Sequence, residues 1–85
     1  MKLIKFSAEW CGPCRTQKKE FETKPLDNVE LIEINIDEDD EALTSKYKVM
    51  SIPTLVLIND NDEVINKWVG FTKSEVINEF IQNLK

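Results

Sequence analysis

Cys11 and Cys14, within Trp10-Cys11-Gly12-Pro13-Cys14, are the only cysteines in 85 residues. An apolar run, Leu3-Ile4-Lys5-Phe6, precedes them, and a charged stretch of helical character, Arg15 to Lys24, follows. A dithiol set between a strand and the first turn of a helix suits redox chemistry. The start of a helix presents unpaired N–H groups and about half a positive charge. Both favour a thiolate over a thiol at Cys11, and the thiolate is the species that attacks disulfides. Pro13 fits the first helical position, where its missing N–H costs nothing. Gly12 leaves the approach to Cys11 open. The pattern implies thiol–disulfide exchange. Cys11, exposed at the helix start, attacks a disulfide, and Cys14, further into the helix and more buried, attacks Cys11 and releases the product.

Two plainer readings compete. Structural zinc wants four ligands, and the chain has no histidine and no other cysteine, which leaves only a site shared between two chains. A purely structural disulfide here would close a very short loop and remove little unfolded-chain entropy.

The elements that must position the pair follow from periodicity. Residues 2–7 read as a strand, residues 8–12 as the active-site loop, and residues 13–24 as a helix that Pro25 stops. That helix has a thin apolar face of Cys14 and Phe21 with Lys18 between them. From Val29 to Asp37, Ile32, Ile34 and Ile36 alternate with Leu31, Glu33 and Asn35, the signature of a strand. The acidic run Asp37 to Glu41 lacks the glycine and distal glutamate of a calcium loop. It reads instead as the approach to a short helix over residues 40–47 with Ala42, Leu43 and Tyr47 inward. Residues 54–58 and 63–69 form a hairpin about Asn59-Asp60-Asn61-Asp62, and Trp68 is expected to pack. For the last helix, Thr72 and Glu75 suggest a capping box and Phe71 and Val76 a hydrophobic staple. Its apolar stripe is Val76, Ile77, Phe80, Ile81 and Leu84. The order is βαβαββα: an α/β chain with parallel first strands, an antiparallel hairpin and helices on both faces.

With Ile52-Pro53-Thr54 and Val69-Gly70 farther along, the Trp-Cys-Gly-Pro-Cys motif resembles the thioredoxin family. The likeness runs through essentially the whole chain, which begins at the strand leading into the motif. Thioredoxins carry a further strand and helix before that point. The resemblance implies a minimal thioredoxin fold over residues 1–85, a four-stranded mixed sheet flanked by three helices. It implies the same two roles for Cys11 and Cys14, and a cis Ile52–Pro53 bond facing them. A cis bond there would free the Ile52 backbone to pair with an extended substrate segment. Trp10, Gly12, Pro13, Ile52, Pro53, Val69, Gly70 and Phe71 are the expected apolar substrate contacts. The partners implied are protein disulfides and a reductase, by family default an NADPH-dependent flavoprotein thioredoxin reductase. No bound cofactor is implied beyond the redox-active Cys11–Cys14 disulfide.

One departure from the family bears on the chemistry. Thioredoxins place a buried aspartate six residues before the first cysteine and a lysine on the neighbouring strand. Here those positions hold Lys5 and Glu33, so the two charges are exchanged. Strand parity lets Lys5 and Glu33 pair if the first two strands are neighbours. An ammonium near a thiol lowers its pKa and a carboxylate raises it. Lys5 is therefore expected to favour the Cys11 thiolate, and Glu33 to accept the Cys14 proton.

Composition bounds the remaining choices. One domain and one modest core are all this length supports. A net charge of −5 argues against nucleic acid or anionic membrane as a partner. The longest apolar run, Leu55 to Ile58, is too short to span a bilayer, and no signal-peptide core follows Met1-Lys2. The chain therefore reads as a cytoplasmic monomer. Two rival functions remain. A glutathione-dependent, glutaredoxin-like reductase would suit the size, but Gly12-Pro13 stands where such proteins carry Pro-Tyr. A non-catalytic interaction module would use the apolar rim alone.

Overall fold

The computed structural model describes residues 1–84. The strands are β1 (Lys2–Ser7), β2 (Glu30–Asn35), β3 (Thr54–Ile58) and β4 (Val64–Val69), and the α-helices are α1 (Gly12–Thr23), α2 (Leu43–Lys46) and α3 (Ser74–Gln82). The sheet order is β2-β1-β3-β4. β1 runs parallel to β2 and antiparallel to β3, and β3 is antiparallel to β4. Each residue of β1 from Leu3 to Phe6 is buried, because the strand has a neighbour on both sides and helices over both faces.

Alternation along the strands divides the core in two. Leu3, Leu55 and Leu57 meet Phe21 of α1 and Ile77 and Ile81 of α3. Leu31 and Trp68 complete that side, with Trp68 edge-on to Phe80 at 5.4 Å between ring centroids. On the opposite face Ile4, Phe6, Val56 and Ile58 meet Ile32, Ile34 and Ile36 and the α2 residues around Leu43 and Tyr47. Burial of these branched side chains, each worth about 1.5–3 kcal/mol, is the main force holding the layers together.

Several element ends differ from the sequence expectation, each for a local reason. α1 starts at Gly12 rather than Pro13, because Cys11 itself caps it. β2 stops at Asn35, whose side-chain oxygen accepts the Asp37 N–H at 2.9 Å and turns the chain into a 3₁₀ turn over Ile36–Glu38. α2 is shorter than residues 40–47 because Ala42 adopts a left-handed conformation (φ 53°) just before it. Asp39 then accepts from the N–H groups of Leu43 and Thr44 at 2.9 and 2.7 Å. β4 begins at Val64, after an irregularity at Leu57/Ile58.

The capping box expected at α3 does not form. The cap is Lys73, with no side-chain hydrogen bond, and the Thr72 hydroxyl turns back to the Gly70 carbonyl at 3.2 Å. A residue on another helix takes the vacated role: Glu20 of α1 accepts the Ser74 N–H at 2.9 Å. The expected staple is open too, with Phe71 and Val76 both exposed. The buried stripe of α3 narrows to Ile77 and Ile81, and Leu84 is exposed.

Asp39 supplies a stability test. The Thr44 side chain, followed by the Thr44 and Leu43 N–H groups, holds its carboxyl below the ordinary value of 3.8. A depressed carboxylate pKa adds stability above the unfolded-state pKa and loses it as pH falls through the folded-state value. Asp39→Ala is therefore expected to lower the melting temperature at pH 7. The gap from wild type should close as pH drops below 3.8, as followed by circular dichroism.

Candidate active site

The site lies where β1 ends and α1 begins. The loop closes with the Cys11 N–H donating to the Ala8 carbonyl at 3.2 Å, which brings Cys11 to the helix cap. Its Sγ accepts the Cys14 N–H at 3.2 Å. Sulfur thus occupies the position that a serine or aspartate oxygen takes at an ordinary N-cap. Gly12 and Pro13 form the exposed first turn. Cys11 and Cys14 are joined in a disulfide, with Cα atoms 5.2 Å apart.

Cys11 does not protrude as expected. It is 5% exposed, against 3% for Cys14. Both sulfurs pack among Ala8, Ile36 and Ile52, because the bond to Cys14 draws the Cys11 side chain down into the first turn. The asymmetry between the cysteines is one of setting. Cys11 touches the Ile52 carbonyl across 4.0 Å, at the Pro53 corner. Cys14 lines a cleft of about 450 Å³ on the other side, together with Lys5, Ala8, Arg15 and Glu33.

Pro53 follows a cis peptide bond from Ile52. Its ring is buried and its carbonyl accepts the Gly70 N–H at 2.8 Å. That bond brings the Pro53 corner and the end of β4 side by side. Gly70 has φ 89°, a conformation that other residues adopt only with strain. Trp10 stands over the site, 66% exposed, with its indole N–H donating to Asp37 at 3.0 Å. Of the eight apolar residues read as a contact surface, Trp10, Gly12, Pro13, Val69 and Phe71 are exposed, and Ile52 and Gly70 are half-buried. Only Pro53 is enclosed.

Lys5 and Glu33 face each other in the β1–β2 register. The Lys5 ammonium is 3.6 Å from a Glu33 oxygen. Burial is one-sided, since the Lys5 side chain is 3% exposed and that of Glu33 52%. β1 is interior and β2 is at the sheet edge, so the cation is enclosed while its partner stays wet.

Sequence reasoning missed three neighbours. Asp37, expected at the end of the second strand and in the acidic run, holds the Trp10 indole. Met50, 94% exposed, shares an apolar hollow of about 310 Å³ with Trp10, Val49 and Ile52. Its place two residues before Ile52 was the available signal. Gln17 is fully buried on α1, three residues after Cys14 and four before Phe21, so the helical period was the available signal for its burial, while its bonds to Thr72 join residues 55 positions apart.

Comparison with known proteins decides the family. The family model for thioredoxin matches residues 1–83. The chain belongs to the thioredoxin family. It is 38% identical over 82 residues to a thioredoxin of Bacillus subtilis, covering 93% of this chain and 77% of that one. A thioredoxin of Chlamydia pneumoniae is 42% identical over 81 residues, covering 93% and 78%. Among solved structures, a thioredoxin from Halobacterium salinarum superposes with a TM-score of 0.80 at 35% identity, covering 95% of this chain and 71% of that one. Thioredoxins are protein-disulfide oxidoreductases, and the Cys11–Cys14 disulfide is the redox pair of this one. The order βαβαββα, the mixed sheet and the three helices agree with the sequence expectation. Among the described residues no helix is long and apolar enough to cross a membrane, and no cluster of three or more potential ligands could hold a metal.

Gly70→Ala tests the backbone at the rim of this thioredoxin. Nothing lies within 4 Å of where the new Cβ would be, so only the positive φ opposes it. The expected loss is about 1–2 kcal/mol in denaturant unfolding, the usual cost of a left-handed conformation for a residue with a Cβ.

Proposed function

We propose that Cys11 is the attacking and Cys14 the resolving residue in the reduction of protein disulfides, with residues 1–85 acting as a single unit. The observation that carries the assignment is the Cys11 sulfur at the N-cap of α1, accepting the Cys14 N–H at 3.2 Å. The same N–H, with the positive end of the helix, stabilises a Cys11 thiolate in the reduced state. That thiolate attacks a substrate disulfide, forms a mixed disulfide and expels one substrate thiolate. Cys14 then loses its proton and attacks the Cys11 sulfur. The Cys11–Cys14 disulfide closes and the second substrate thiolate leaves. Two electrons have passed to substrate, and solvent protons complete the two product thiols. The reductase that restores the dithiol is proposed to be an NADPH-dependent flavoprotein, and the protein to act as a cytoplasmic monomer.

Trp10, Gly12, Pro13, Ile52, Val69, Gly70 and Phe71 are proposed to contact the polypeptide around the substrate disulfide, with Pro53 shaping the corner beneath it. Their support is adjacency: Pro53 is bonded to Gly70, and Ile52 touches Cys11. Main-chain pairing at Ile52 would accept substrates of varied sequence.

Lys5 and Glu33 are proposed to tune the dithiol through the cleft they share with Cys14. The enclosed ammonium is weakly screened, whereas the half-exposed carboxylate is strongly screened by water. The cation therefore dominates the field, favours thiolate and so stabilises the reduced form. A potential more oxidising than that of relatives with the opposite charge order follows. Glu33, in water at the cleft mouth, takes the Cys14 proton.

Two outcomes are expected. With dithiothreitol as reductant the protein reduces insulin. Reduced and then freed of dithiothreitol, Cys14→Ser is expected to accumulate a mixed disulfide with substrate on non-reducing gels, and Cys11→Ser is not. The reverse pattern would exchange the two roles. In Lys5→Met the Cys11 pKa, followed by thiolate absorbance, should rise and the potential against glutathione should become more negative. An unchanged thiol titration would remove Lys5 from the mechanism.

A further inference from the structure

Gln17 lies one turn along α1 from Cys14 and is completely buried. Its amide nitrogen donates to the Thr72 carbonyl at 2.8 Å, and its amide oxygen accepts the Thr72 N–H at 2.7 Å. Both bonds go to one residue, 55 positions on. The side chain and Thr72 exchange two hydrogen bonds as facing residues do in an antiparallel ladder. A carboxamide carries the donor and the acceptor side by side that this exchange requires. The Thr72 hydroxyl in turn bonds the Gly70 carbonyl, and the Gly70 N–H bonds the Pro53 carbonyl at 2.8 Å. Glu20, on the same side of α1, holds the Ser74 N–H. The redox helix therefore grips the chain on the far side of Gly70 from the site.

An apolar side chain of similar volume would fill this place without an amide to desolvate. A buried hydrogen bond contributes little net stability, so what the amide distinctively supplies is geometry. We infer that Gln17 is a positioning residue for polypeptide substrates, fixing Val69, Gly70 and Phe71 relative to the Cys11 sulfur. The inference rests on the proposed reading of those three residues as substrate contacts. Helix and rim then meet the substrate as one body, and no loop ordering is needed when it binds. Small disulfides reach Cys11 without touching the rim and are indifferent to Gln17.

The test uses Gln17→Met and Gln17→Leu, which each keep an apolar side chain of similar volume in place of the amide and lose both bonds to Thr72. Insulin reduction and reaction of the reduced protein with the small aromatic disulfide DTNB are measured at neutral pH. Both variants should raise KM for insulin by about tenfold with kcat and the DTNB rate changed by less than about twofold. A packing role predicts that Gln17→Met keeps the wild-type KM, and that result overturns the inference. Equal losses on insulin and DTNB would overturn it as well, by placing the effect at the cysteines. Wild-type protein needs no variant for a second readout. Its Thr72 amide should exchange with deuterium at least about a hundredfold more slowly than an unstructured amide, and free exchange would overturn the clamp. Failure of the wild type to reduce insulin would overturn the functional reading and this inference together. Wild-type activity with unaltered KM in both variants would remove this inference alone.

Discussion

Strand β1 is the constraint from which the site follows. It is hydrogen-bonded on both edges, to β2 in parallel and to β3 in antiparallel register. Its side chains anchor both core layers at once. A strand so held ends at a defined point, and the turn after it delivers Cys11 to the cap of α1. The antiparallel neighbour brings the start of β3, and with it Pro53, to the same end of the sheet. Two segments about 40 residues apart thus meet at one sulfur, Cys11 against the Ile52 carbonyl. The meeting is a property of the sheet and not of either loop.

The same central position explains the charge arrangement. Lys5, in the middle of β1 with a strand on each side, is almost fully enclosed. An enclosed ammonium without a counter-charge is costly. The register supplies Glu33 directly opposite. Because β2 is an edge strand, the counter-charge remains hydrated and the pair is electrically lopsided. A site with its cation inside and its anion outside differs in kind from one with the opposite order.

Around the dithiol, the polar interior is sparse and specific. The Gln17 amide, the Glu20 carboxylate and the Pro53 carbonyl each satisfy backbone N–H groups that no helix or strand ladder would satisfy. Each joins the chain after β4 to an element that carries redox or corner residues. Backbone groups left unpaired in such a place cost more than the bonds return in net stability. The polar contacts therefore act mainly as locators, while apolar burial supplies the cohesion.

What the amino-acid order determined by itself was local or periodic. The dithiol spacing, the alternation of β2, the turn chemistry of the hairpin and the order of elements all depend on neighbours within a few residues. Such signals survive in one dimension because a two-residue or 3.6-residue period is written in the chain. Even the facing of Lys5 and Glu33 was open to parity reasoning, once adjacent parallel strands were assumed. Tertiary structure decided the rest. It chose Glu20 of α1 over Thr72 to serve the start of α3, because a neighbouring helix happened to present a carboxylate there. It buried Cys11 through its bond to Cys14, left Phe71 and Val76 in solvent, and enclosed Lys5 but not Glu33. It turned Gln17, one polar letter on a charged helix, into a clamp on a residue 55 positions away. Exposure and long-range hydrogen bonding depend on which surfaces the packed layers cover, and no local period encodes that.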